Sequence, residues 1–194
     1  DRLDGSWKAD LALFRVKSYH NEKAIETVEP AVGDGTTILT LQNGIGSGEE
    51  LGAAFGREKV LLGVSYVDGV RRAPGVVGEE GGPANIVFGE QDGASTPRAE
   101  AARAAMEAAG INVRLSSNVG RDLWSKLIYI CALSGMTCIT RAPFVEVLST
   151  PETLELTWRV MREVEAVAAA RDADLAPNVV ESTMAAFEEA GRRL

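Results

Sequence analysis

Histidine, cysteine and surplus positive charge are all scarce here, and each scarcity closes off a class of function. His20 is the single histidine among 194 residues. Triads needing a second histidine and multi-His metal sites are excluded; with no Cys-x-x-Cys pair or Asp/His cluster, no metal centre is expected. The two cysteines, Cys131 and Cys138, stand seven apart in an apolar stretch. On a helix that spacing is about 10 Å along the axis, too far for a disulfide. They read as small buried hydrophobes in a reducing cytoplasm. Lys and Arg number 20 against 28 Asp and Glu, a formal net charge of −8. That balance argues against a nucleic-acid partner or an anionic membrane surface. The longest nearly uncharged apolar run, Leu127 to Ile139, is too short to span a bilayer. The chain opens on Asp1 and a polar stretch, with nothing like a secretory signal. No G-x-G-x-x-G occurs anywhere. What is present is 45% hydrophobic and 25% charged residues, enough for one large core or two small ones.

The first half alternates between strand and helix patterns. Residues 9–16 form a nearly continuous apolar strand, as a sheet covered on both faces demands. Residues 21–29 are helix-like and stop before Pro30; residues 36–41 are a second strand rich in β-branched side chains. Residues 49–55 fit a short helix and 59–67 a third strand. This order predicts a parallel, Rossmann-like α/β sheet. An added antiparallel hairpin is expected from 76–78 and 84–89, turning through Glu79-Glu80-Gly81-Gly82-Pro83. Thr96-Pro97 opens an alanine-rich helix that Gly110 stops, and 111–115 reads as an edge strand. Beyond Asn118 only helices are predicted: one from 118 to about 133, one capped by Thr150-Pro151, and one from about Pro177 to Gly191. The expected organisation is therefore a partial α/β domain over 1–117 followed by an all-α domain over 118–194.

Three segments carry candidate chemistry. Lys17 follows the first strand, where open parallel sheets bind ligands; a solvated loop lysine is the plain alternative. Leu41-Gln42-Asn43-Gly44-Ile45-Gly46-Ser47-Gly48 follows the second strand. Its glycines allow close backbone approach to a ligand, and Asn43 offers a donor and an acceptor. The competing reading is a turn with Asn43 in a left-handed conformation. Third, Lys126 interrupts an apolar helix, sharing a stripe with Ile130 and Ser134. A partly desolvated lysine suits proton donation near neutral pH, whereas an Asp122–Lys126 surface pair would be worth only a few tenths of a kcal/mol. The Trp158 stripe, with Leu154, Met161, Val164 and Ala168, could instead be a docking face of a purely helical interaction module.

Taken in order, Val16-Lys17-Ser18-Tyr19, Leu41-Gln42-Asn43-Gly44-Ile45-Gly46, Leu62-Gly63-Val64 and Leu123-Trp124-Ser125-Lys126-Leu127 resemble the ketopantoate reductase (2-dehydropantoate 2-reductase) family. The resemblance implies a Rossmann domain binding NADPH and a helical domain supplying the dimer contact and half the active site. It further implies a cytoplasmic homodimer that reduces 2-dehydropantoate, a small 2-oxoacid, to (R)-pantoate for pantothenate and coenzyme A synthesis. Carried over by position, Lys126 is the general acid, Asn43 touches nicotinamide and substrate, Lys17 lies beside them, and Gly69 gives the cofactor a backbone contact. Ser134 is left to bind substrate. The family's Gly-rich first turn and its later Ser/Glu stretch have no counterpart in these residues. Ile130 and Phe144 replace substrate asparagines, which favours a bulkier or less polar 2-oxoacid as one alternative. A nucleotide-binding relative without catalysis is another.

Overall fold

A computed structural model describes residues 3–191. The chain divides into two compact units, with the break between Val119 and Gly120. The first is built on one five-stranded sheet whose spatial order follows the chain: β1 (Leu11–Phe14), β2 (Thr37–Thr40), β3 (Val60–Ala73), β4 (Val76–Gly89) and β5 (Asn112–Leu115). β1, β2 and β3 run parallel, β3 and β4 antiparallel, and β4 and β5 parallel. The sheet is therefore mixed, as the expected α/β class with an added hairpin requires. Helices α1 (Asn21–Val28) and α2 (Ser47–Phe55) connect the parallel strands, and α3 (Pro97–Ala108) links β4 to β5.

Every residue of β2 is buried, because the alternation of a strand sends neighbours to opposite faces and both faces are covered. Ile38 packs with Phe14, Leu51 and Val60 beneath α1 and α2, joined by Ile25, Val28 and Phe55. Leu39 packs on the other side with Leu61, Phe88 and the Ala99–Ala102–Met106 stripe of α3. Thr96 caps α3, its hydroxyl accepting from the Ala99 N–H at 3.3 Å, with Pro97 in the first turn.

The hairpin differs from the sequence expectation. Its turn lies at Pro74-Gly75, where Gly75 takes φ +74°, and β4 runs unbroken through Gly81-Gly82-Pro83. A register shift explains this: Tyr66 pairs with Asn85 but Asp68 with Glu80, so a bulge absorbs the Gly-Gly-Pro segment that looked like a turn. Past the bulge the two strands form a ribbon leaving Val70, Val76 and Val77 exposed.

The second unit is all helical among the described residues: α4 (Val119–Thr140), α5 (Phe144–Ser149), α6 (Pro151–Ala169) and α7 (Val179–Gly191). Its core gathers Ile128 and Ala132 of α4, Met161 of α6, and Val180, Met184 and Phe187 of α7. Phe187 stacks on Tyr129 and meets Phe144 edge-on, with ring centroids 4.5 and 4.6 Å away. Arg121 anchors the start of α4 to the loop after α6, donating to the Asp174 carbonyl at 2.6 Å and pairing with its carboxylate. Trp158 packs on this unit's own core with Leu154 and Val164 and lies 5.7 Å from the Arg162 guanidinium, so its stripe is a core stripe.

Three further expectations need correction. α4 runs seven residues beyond the predicted end near 133 and, by length and composition, is long and apolar enough to cross a membrane. Its Ile128–Ala132–Met136 stripe is buried, and the helix carries three charged residues, Arg121, Asp122 and Lys126. Cys138 is exposed rather than buried; Cys131 is half-buried and burial pushes its thiol pKa up. Short α5, opened by Pro143, was too brief for a periodic signal.

Candidate functional site

The carboxyl edge of the parallel strands is set by register. Phe14 pairs with Thr40, and Thr40 with Leu62. Lys17 and Asn43 each lie three residues past the first pair, so both candidates leave the sheet at the same edge on adjacent strands. Both are exposed. Lys17 is extended (φ −67°, ψ 143°) and leads into a single 3-10 turn, Ser18–His20.

The loop after β2 places its left-handed residues at Gly44 (φ +97°) and Gly46 (φ +99°); Asn43 is not among the positive-φ residues. The turn-only reading of Asn43 as the left-handed residue is thus displaced by its glycine neighbours. A Cβ at Gly44 or Gly46 would meet no atom within 4 Å. The glycines therefore hold a bare backbone ledge beside Asn43, a surface a flat ring or an amide can approach closely. α2 starts here without a side-chain cap, while Glu49 and Glu50 in its first turn already complement the positive end of the helix dipole.

Beneath this exposed edge lies a buried polar chain absent from the sequence reading. Gln42 is 8% exposed and Asn21 3%. Gln42 Nε2 donates to the Val16 carbonyl at 2.6 Å and to Asn21 Oδ1 at 2.8 Å, while its Oε1 accepts from Thr40 Oγ1 at 3.2 Å. Asn21 Nδ2 donates in turn to the Glu50 carboxylate. Nearby, Arg15 Nη2 reaches Ser65 Oγ at 3.4 Å. The only sequence signal for this chain was a glutamine beside Asn43 at a strand end.

The remaining candidates belong to other elements. Gly69 sits on the β3–β4 ribbon, opposite Glu79 and seven residues beyond Leu62. Lys126, Ile130 and Ser134 belong to the helical unit. Lys126 is two residues from Ile128, about 200° around the helix, so its stripe faces away from the buried Ile128–Ala132–Met136 stripe. Lys126 and Ile130 are half-buried and Ser134 is exposed. Phe144 is engaged with Phe187 in the core.

Two family models match this chain: ketopantoate reductase PanE/ApbA over residues 5–93, and its C-terminal part over 118–193. The chain belongs to the ketopantoate reductase family. It is similar to the 2-dehydropantoate 2-reductase of Aquifex aeolicus, with 31% identity over 80% of this chain and 50% of the relative. It is also similar to the solved 2-dehydropantoate 2-reductase of Geobacter metallireducens: TM-score 0.86 and 30% identity, covering 96% of this chain and 61% of that one. A D-mandelate dehydrogenase solved with NADH and anilino(oxo)acetate shares the fold alone (TM-score 0.84, 20% identity, 95% and 59% coverage). The chain spans about half the length of the curated relatives it matches.

The residues of the first unit fit the reduced-ring end of a nicotinamide cofactor, because the glycine ledge leaves room where side chains would block it. Lys17 and Asn43 are exposed polar residues at that same edge. A phosphate-cradling G-x-G-x-x-G is not among these residues.

Proposed function

We propose that this chain carries the reaction centre of an NADPH-dependent reductase of 2-dehydropantoate, yielding (R)-pantoate. The observation that supports it most is that Lys17 and Asn43 each follow a paired strand end by three residues at one sheet edge, beside a side-chain-free glycine ledge. Bound there, a reduced nicotinamide supplies hydride to a ketone carbon. As that carbon is reduced, its oxygen gains negative charge, and an ammonium aimed at it acts chiefly in the transition state. Lys126 is assigned that role, giving its Nζ proton to the oxygen as the alcohol forms. Lys17 adds positive potential for the substrate carboxylate, Asn43 orients ring and substrate, and Gly69 offers the cofactor a backbone contact. Ser134 donates a hydrogen bond to substrate. The domain division at 117/118, a cytoplasmic location and a homodimeric state complete this reading; sedimentation of the purified protein checks the last.

A second reading keeps the reaction and changes the substrate. Ile130 and Phe144 stand where a polar 2-oxoacid would need amides, and Phe144 is committed to the core. A bulkier or less polar 2-oxoacid suits Ile130 better than one that needs an amide there. The test is steady-state oxidation of NADPH and NADH by the full-length protein with ketopantoate and a panel of aryl and branched 2-oxoacids. Lys126→Ala is expected to lower turnover at least about 100-fold, as loss of a general acid does, while NADPH still binds. Unchanged turnover in that variant would remove Lys126 from the chemistry; NADPH binding with no oxoacid reduced would favour a non-catalytic nucleotide-binding protein.

A further inference from the structure

We propose that Gln42 is a positioning residue: its buried amide holds Lys17 and Asn43 in register, an inference that rests on the assignment of those two residues to cofactor and substrate. The geometry is specific. Gln42 is the residue before Asn43, and the carbonyl it holds, that of Val16, is the one before Lys17. One side chain therefore spans the two strand ends immediately behind both candidate groups. Beyond Phe14 and Thr40 strand pairing ceases; there the Leu41 N–H to Phe14 carbonyl bond (3.2 Å) and the Gln42 amide take over.

The orientation of this amide is fixed by its partners. A carbonyl and a carboxylate can only accept, so the Val16 end requires Gln42 to present its NH2 group and the Glu50 end requires Asn21 to present its own. Asn21 Oδ1 is then left to accept the second Gln42 hydrogen, as found. Both amide hydrogens and the carbonyl oxygen of Gln42 are engaged. Through Asn21, the first residue of α1, and Glu50, in the first turn of α2, the strand ends are also tied to both covering helices. The buried Gln42–Asn21 part of this chain specifies one arrangement, because any other leaves its amide donors unpaired away from water.

The test is a double-mutant cycle between Gln42→Met and Lys17→Met in the full-length protein. It is read on kcat/KM and, separately, on NADPH affinity by fluorescence titration. Methionine keeps the volume of glutamine and removes its hydrogen bonds. Misplacing a group by about 1 Å can cost on the order of 100-fold; here Gln42→Met is expected to lower both quantities roughly 10-fold where Lys17 is intact, and only about 3-fold where Lys17 is already methionine, the remaining loss acting through Asn43. Equal losses in both backgrounds would overturn the positioning role, since a general loss of structure does not depend on what Lys17 carries. The affinity cycle does not require the substrate to be known, so a wrong substrate silences only the kinetic readout. Wild-type protein that fails to bind NADPH overturns both the inference and the proposed function. Should Gln42→Met not fold, Asn21→Ala, which removes one acceptor of the Gln42 amide together with the Asn21 bond to Glu50 and leaves the Val16 contact in place, is taken through the same cycle with the same criterion.

Discussion

Removing the carboxylate of Glu90 is expected to unlock the start of α3 and to cost about 3 kcal/mol. Glu90 follows β4 and is 6% exposed. It accepts from Thr96 Oγ1 at 2.6 Å and Arg98 Nε at 2.7 Å, and pairs with Arg98 Nη2. Thr96 is itself the cap of α3, so one carboxylate serves both the helix cap and a largely buried cation. Breaking a buried pair from one side typically costs about 3–5 kcal/mol. The low end applies because the Arg98 side chain keeps 25% of its exposure and can recover some hydration. Its Nη1 has no hydrogen-bond partner, so Glu90→Ala strips the guanidinium of both bonds it has, one of which is the ion pair. For a unit of this size, about 3 kcal/mol corresponds to a fall in Tm of roughly 10 °C, measured by circular dichroism. Adding Arg98→Met should restore at least about 1 kcal/mol, because the orphaned charge goes with it. A Glu90→Ala protein within about 0.5 kcal/mol of wild type, or a double variant no better than the single, would refute the reasoning. The same contact has an acid signature. Burial pulls the Glu90 pKa up, but the hydrogen bonds from Arg98 and Thr96 outweigh it and leave the pKa below its ordinary 4.5. The stabilisation is then fully present above about pH 4.5 and disappears as pH falls through the lower folded value. The Tm gap between wild type and Glu90→Gln should accordingly close with acidification below pH 4.5.

Asn43→Ala is expected to raise the Michaelis constants and slow turnover; an effect confined to Tm would return Asn43 to a turn-forming role. Gly44→Ala forces an L residue to φ +97° with no clash to relieve, so urea denaturation should show a loss of about 1–3 kcal/mol; no loss would mean that the loop relaxes freely. Phe187→Ala removes a ring that is 2% exposed and touches both Tyr129 and Phe144. It should destabilise the helical unit by about 3–5 kcal/mol, and a cost below 1 kcal/mol in the same denaturation would deny that this cluster is its core.

Local chemistry fixed much of this protein in advance. The βαβαβ opening, the Thr96-Pro97 start and Gly110 stop of α3, and the helical second half follow from side-chain period and end signals spanning a few residues. Lys17 and Asn43 were visible as candidates for the same reason: each follows an apolar strand, and parallel strands end on one edge. Only the tertiary structure decided what those signals could not reach. The Gly81-Gly82-Pro83 segment looks like a turn until its pairing with β3 turns it into a bulge. Gln42 is an ordinary amide until Val16 and Asn21, 26 and 21 residues away, arrive to accept from it. Whether Cys138 lies in or out depends on what the neighbouring helices cover. In each case the deciding partner is distant in sequence, and a pattern confined to neighbouring residues holds no information about which distant group will meet it.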